Sequence, residues 1–155
     1  SSETSSEPSS VMSRTGYVIK YTNCPIAWCS KLQTKIALST TEAEYIALSQ
    51  AMRDTVPLTQ LIDELWTILP LDPPQTEVKC TIFEDNESCI AIAKSPRLRP
   101  RTKHIAIKYH HFRKGVIDGF YNILSIDTLE QTADIFTKAL SETKFTYLRR
   151  KLNGW

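Results

Sequence analysis

The sequence predicts an α/β fold in which a mixed sheet is covered by helices. Three observations predict it. Short β-branched and aromatic runs near both ends of the chain have the length of strands. The runs between them place apolar residues at every third or fourth position, as amphipathic helices do. After an initial hairpin, strands alternate with helices, an order that builds helix-covered sheets rather than bundles or sandwiches. The chain has 155 residues, 41% of them apolar and 23% charged, which suffices for one domain with a buried core.

Residues 1–13 hold seven Ser, two Glu, one Thr and one Pro. So little apolar surface cannot offset the entropy of ordering, and a disordered lead is expected there, with one domain over residues 14–155. Gly16 to Thr22 and Ile26 to Ser30 read as a hairpin turning at Asn23, Cys24 and Pro25. Ser39-Thr40-Thr41-Glu42 fits a capping box, and Ala43, Ile46, Ala47, Ala51 and Met52 then recur at helical spacing to about Arg53 or Asp54. Pro57 is expected to interrupt this helix and begin a second segment carrying Leu58, Leu61, Ile62, Leu65 and Trp66. Pro70, Pro73 and Pro74 end it.

Residues 77–83 alternate as a strand, broken by Glu84, Asp85 and Asn86, and 87–94 form a short helix. A loop between Pro96 and Pro100 leads to a helix over 102–117, with Ile105, Tyr109, Phe112 and Val116 on one stripe and Gly119 closing it. Residues 121–126 are the last strand. A final helix is expected over 129–152, with Ile135, Leu140, Phe145, Leu148 and Leu152 facing inward.

Nineteen Lys and Arg against seventeen Asp and Glu give a net charge of +2, which excludes a histone-like or uniformly acidic chain. No apolar run reaches the roughly 18 residues of a membrane span, and residues 1–10 have no apolar core of a secretory signal. Cys24, Cys29, Cys80 and Cys89 lack C-x-x-C spacing, so they read as free, mostly buried thiols of a reducing compartment rather than a zinc site.

Three carboxylates stand out. Glu44 lies in the early turns of the capped helix beside its apolar stripe. Asp85 ends a strand at a strand-to-helix turn, and Asp134 sits between Ala133 and Ile135 at the start of the final helix. Singly, each has an ordinary explanation: helix-dipole stabilisation for Glu44 and Asp134, capping for Asp85. Jointly, three carboxylates at element ends, with no local Lys or Arg partner, suggest Mg²⁺ or Mn²⁺ ligation and phosphodiester hydrolysis assisted by two ions. From Lys94 to Ile117 there are eight Lys or Arg and no Asp or Glu. Lys94, Arg97, Arg99, Arg101, Lys103 and His104 are candidate contacts to a nucleic-acid backbone, with a solvated helix face as the alternative. Tyr109 and Phe112 are spaced for core packing rather than base stacking.

Four stretches, Ser39 to Leu48, Phe83 to Ile92, Arg101 to Ile105 with Tyr109-His110, and Gln131 to Lys138, resemble the ribonuclease H domain of copia-type LTR retrotransposon Pol polyproteins. Trp28 to Gln33 and Phe145 to Leu152 resemble its remaining signatures, and the likeness runs in order from about Val11 to Trp155. The resemblance implies the RNase H-like fold, a five-stranded mixed sheet flanked by helices. It also implies hydrolysis of RNA in RNA–DNA hybrids during reverse transcription, with two Mg²⁺ or Mn²⁺ ions. The implied partners are the hybrid and an adjacent reverse transcriptase domain, in a cytoplasmic virus-like particle and with no membrane.

Residue by residue, Glu44 matches the family's helix glutamate, Asp85 its aspartate after the fourth strand, and Asp134 that of its final helix. Glu42 is better explained by capping. The family's sheet also has a central first strand bearing an aspartate, whereas no Asp precedes Asp54 here. An N-terminally truncated, impaired ribonuclease H is therefore expected, the alternative being a catalytically dead nucleic-acid-binding or scaffold fragment.

Overall fold

The computed structural model describes residues 12–34, 36–70, 79–95 and 112–154. The chain is a mixed α/β structure. Strands β1 (Arg14–Tyr21) and β2 (Cys24–Leu32) form the hairpin, followed by helix α1 (Thr40–Ile68), strand β3 (Cys80–Glu84) and helix α2 (Glu87–Lys94). Helix α3 (Arg113–Ile117), strand β4 (Tyr121–Ser125), a 3₁₀ turn (Thr132–Phe136) and helix α4 (Glu142–Asn153) complete it.

The hairpin turns one position earlier than its Pro suggested. Thr22 and Asn23 both adopt positive φ, 48° and 67°, the backbone of a two-residue turn whose twist suits antiparallel strands. β1 and β2 pair from Arg14↔Leu32 to Tyr21↔Cys24, with a bulge between Ile19 and Lys20. The pairing continues just outside β1, where Gln33 N donates to the Ser13 carbonyl at 2.8 Å. The rest of the expected lead, 1–11, lies outside the described residues.

β3 and β4 pair in parallel, Cys80↔Tyr121 to Glu84↔Ser125. Among the described residues the strands therefore form two separate two-stranded sheets, not the single mixed sheet expected. The 131–137 segment ties them together. Gln131 Nε2 donates to the Phe83 carbonyl on β3 at 3.2 Å, while Ser30 Oγ on β2 donates to the Phe136 carbonyl at 2.6 Å.

The core lies between α1, α2 and the parallel pair: Tyr45, Leu48 and Met52 meet Cys89, Ile90, Ala93, Phe112, Tyr121 and Ile123. Phe112 is buried against Tyr45, ring centroids 5.1 Å apart, as its spacing predicted. Tyr121 Oη donates to the Met52 carbonyl at 3.1 Å, so this rim tyrosine keeps its hydroxyl satisfied.

Three expectations are corrected. First, α1 runs unbroken through Pro57. The ring removes one backbone donor, but the helix is secured before Pro57 by its buried face, Ala43 to Thr55. The Thr55 and Thr59 hydroxyls on either side of Pro57 bond the Met52 and Val56 carbonyls at 2.7 and 2.8 Å. Second, the final helix is two elements. Ser141 caps a new helix, its Oγ accepting from Lys144 N at 3.3 Å, so the chain before it tightens into the 3₁₀ turn. Third, the cysteines are free but not mostly buried: Cys24 is exposed, Cys29 and Cys80 are half-buried, and only Cys89 is buried. The helix expected over 102–117 is described only from Phe112 onward.

Among the described residues no helix is long and apolar enough to cross a membrane.

Candidate active site

Glu44 is held by a well-capped helix start. Ser39 Oγ accepts from Glu42 N at 3.1 Å, and Glu42 Oε2 reaches back to Leu38 N at 2.8 Å. Glu42 is thereby committed to the cap, leaving Glu44, two residues further and half-buried, as the free carboxylate of this end. Asp85 follows β3 directly. It does not cap α2: Asn86 does, its Oδ1 accepting from Cys89 N at 2.9 Å. Asp134 lies in the 3₁₀ turn and is 5% exposed.

The three carboxylates come from separate elements and share one electrostatic environment. Burial raises the Glu44 carboxyl above its ordinary range. Asp85 raises it further, Lys138 opposes this, and Asp134 adds to the rise. Glu44 thus senses both of the other predicted ligands at once. Among the described residues, however, no three His, Cys, Asp or Glu side chains are gathered closely enough to hold a metal ion as they stand.

Asp134 shows why. Lys138 Nζ sits 2.9 Å from its Oδ1 and Lys144 Nζ 2.8 Å from its Oδ2. The expectation that it has no basic partner is therefore wrong, because the i,i+4 geometry brings Lys138 back over it and the separate helix α4 supplies Lys144. Lys144 Nζ also donates to the Thr128 carbonyl at 3.2 Å, which anchors it between two segments.

A fourth carboxylate was missed. Glu84 ends β3 on the same face as Cys80 and Ile82 and is 6% exposed. The alternation of the strand carries the signal, since the residue two beyond Ile82 must also point inward. Burial pushes its carboxyl up to about 7, with Glu44 and Asp85 adding to the rise and a bond from Asn86 N opposing it. The chemistry of this donor set, all carboxylate oxygens, fits Mg²⁺ or Mn²⁺.

The basic segment is only partly described. Lys94 is exposed at the C-terminus of α2, where a cation is favoured by the helix dipole. Arg97, Arg99, Arg101, Lys103 and His104 lie outside the described residues. Arg113 is half-buried and its guanidinium donates to the Ser95 carbonyl, so it braces the start of that segment.

No family model and no solved structure matches the chain. Curated relatives do. The chain is 38% identical over 133 residues to the retrovirus-related Pol polyprotein from transposon TNT 1-94 of Nicotiana tabacum, covering 86% of this chain and 9% of the relative. It is 33% and 32% identical over 141 residues to the retrovirus-related Pol polyproteins from transposons RE1 and RE2 of Arabidopsis thaliana, covering 91% of this chain and 9% of each. Its homologues are thus retrovirus-related Pol polyproteins from plant transposons, and it is similar to a segment spanning about 9% of their length.

Proposed function

We propose that the chain is the ribonuclease H-like part of a transposon Pol polyprotein, hydrolysing the RNA strand of RNA–DNA hybrids during reverse transcription with divalent-cation assistance. What supports this is the likeness to retrovirus-related Pol polyproteins, together with the charges of Asp85 and Asp134 both acting on Glu44. A divalent cation, when bound, supplies activation of water and stabilisation of the leaving oxygen. The chain's own residues orient and hold. Glu44 from α1, Asp85 from the end of β3 and Asp134 from the turn that bridges the two sheets would hold the cation. Lys94 and the basic residues after it attract the sugar–phosphate backbone. The partners that follow are the hybrid and a reverse transcriptase domain of the same polyprotein, in a cytoplasmic particle.

A second reading, a non-cleaving nucleic-acid-binding or scaffold module, is favoured by one observation: both oxygens of Asp134 are engaged by lysines. Cleavage of a hybrid labelled on its RNA strand, with and without Mg²⁺, separates the two. Mg²⁺-dependent cleavage lost in Asp85→Asn supports the enzyme. Tight hybrid binding without cleavage, in this chain and in the longer polyprotein region containing it, supports the module.

A further inference from the structure

Positive charge is unevenly placed in this chain. β1, β2 and α4 together carry seven Lys or Arg and a single acid, Glu142, although the whole chain has a net charge of only +2. The hairpin and α4 meet: Lys20 Nζ on β1 donates to the Lys151 carbonyl near the end of α4 at 3.3 Å. Lys144 and Lys151 are engaged by Asp134 and Glu130. Arg14, Lys20, Arg149 and Arg150 are exposed, and among the described residues no carboxylate pairs with them.

The alternation of the hairpin puts Arg14, Val18 and Lys20 of β1 on the same face as Trp28 and Ser30 of β2. Arg14 Nη1 donates to Ser30 Oγ at 3.3 Å, and Val18 stands opposite Trp28. A strand rises about 3.3 Å per residue, so Arg14 and Lys20 stand about 20 Å apart along β1, with Trp28 beside the stretch between them. Trp28 is 65% exposed, so most of its indole is withheld from the core. The dipole of α4 favours Arg150 and Lys151 in its last turn, but it gives no reason for Arg14, Lys20 or the open indole. Unpaired like charges around an exposed aromatic ring match a polyanion whose bases can stack.

We propose that this face of the hairpin, extended by α4, binds single-stranded nucleic acid, with Arg14, Lys20, Arg149 and Arg150 holding successive phosphates and Trp28 stacking an unpaired base. The partner is a single strand because a duplex keeps its bases stacked on one another and offers the indole no free face. The surface is built on elements other than those bearing Glu44, Asp85 and Lys94, and it does not rest on the metal or cleavage reading.

The test is fluorescence anisotropy of a labelled 15-mer oligothymidine and of a 15-base-pair DNA duplex, titrated with the whole chain at several salt concentrations, with thermal melts to report folding. The parent should bind the single strand more tightly than the duplex. Trp28→Ala should bind the single strand about tenfold more weakly with an unchanged salt slope, and Trp28→Phe should recover part of the loss. Arg149→Gln with Arg150→Gln should flatten the salt slope by about 1.4, two phosphates' worth for a single strand; these positions are exposed, so this pair decides if Trp28→Ala does not fold. Neutralising Arg97, Arg99 and Arg101 should leave single-strand binding as in the parent, which separates this surface from the segment after Lys94. Duplex bound as tightly as single strand, parent-like binding in Trp28→Ala, or a parent-like salt slope in the arginine pair would overturn the proposal.

Discussion

Gly16, within β1, lies directly against Thr137, just beyond the 3₁₀ turn that carries Asp134: a Cβ at Gly16 would stand 2.4 Å from Thr137 Cγ2. The same added carbon would meet Phe136 Cβ at 3.1 Å and the Ala133 carbonyl oxygen at 3.3 Å. The absence of a side chain there is what lets the turn seat on the hairpin. Gly16→Ala must therefore push the turn outward, overpacking the contact at a cost of about 1–3 kcal/mol. A urea melt should show the loss, and Mn²⁺ affinity should fall with it because Asp134 rides on the displaced segment. Parent-like stability and affinity would show that the seat is loose.

Tyr17 on β1 donates its hydroxyl to Asp54 Oδ2 on α1, and Gln50 Nε2 donates to Oδ1 of the same carboxylate at 3.0 Å. Burial, with Asp54 beside it, raises the Tyr17 hydroxyl well above its ordinary range. The bond ties the hairpin to the helix that bears Glu44. Tyr17→Phe should lower stability by about 1.5–3 kcal/mol, the range for a hydrogen bond to a charged group. Denaturant unfolding at neutral pH measures it directly, and no change in the midpoint would mean that water replaces the phenol at no cost.

Glu84 gives stability a pH dependence. Its carboxyl is raised from an ordinary 4.5 to about 7 in the folded chain. Below about pH 4.5 it is protonated in both states and carries no penalty. Between 4.5 and 7 the folded state keeps a proton that the unfolded state releases, so stability falls as pH rises through that window and levels off above it. The full effect is on the order of 3 kcal/mol. In metal-free buffer, Glu84→Gln should remove this slope and exceed the parent in stability at pH 8. A parent-like slope in the variant would assign the dependence to other groups.

Neutralising Arg97, Arg99 and Arg101 together should weaken hybrid binding to a similar extent for different sequences and flatten its salt dependence by roughly three counterions' worth. Filter binding at several salt concentrations checks this. Unchanged binding would make the segment a solvated face.

Much of this was legible because local chemistry decided it. Ser39 and Glu42 announce a helix start that tertiary structure does not overrule, and Phe112 announces a core position by spacing alone. The strands at 80–84 and 121–125 were visible for the same reason. What depends on partners distant in sequence was not. Pro57 looked like a breaker because propensity ignores the buried face that secures α1. Asp134 looked partnerless although Lys138 stands only four residues on, and its second partner, Lys144, arrives from a helix whose Ser141 cap was read as mid-helix. Glu84 was passed over as a turn residue, although the alternation through Cys80 and Ile82 pointed it inward. The division of the strands into two sheets is a property of pairing between segments, which strand propensity does not encode.

The central claim is that Glu44, Asp85 and Asp134 serve one divalent cation. Anomalous diffraction from crystals of the chain grown with Mn²⁺ tests it most directly. An anomalous peak with a carboxylate oxygen of each of the three within about 2–2.5 Å is the expected result. Mn²⁺ bound elsewhere, or absent from this site at saturating concentration while Lys138 and Lys144 keep Asp134, would contradict it.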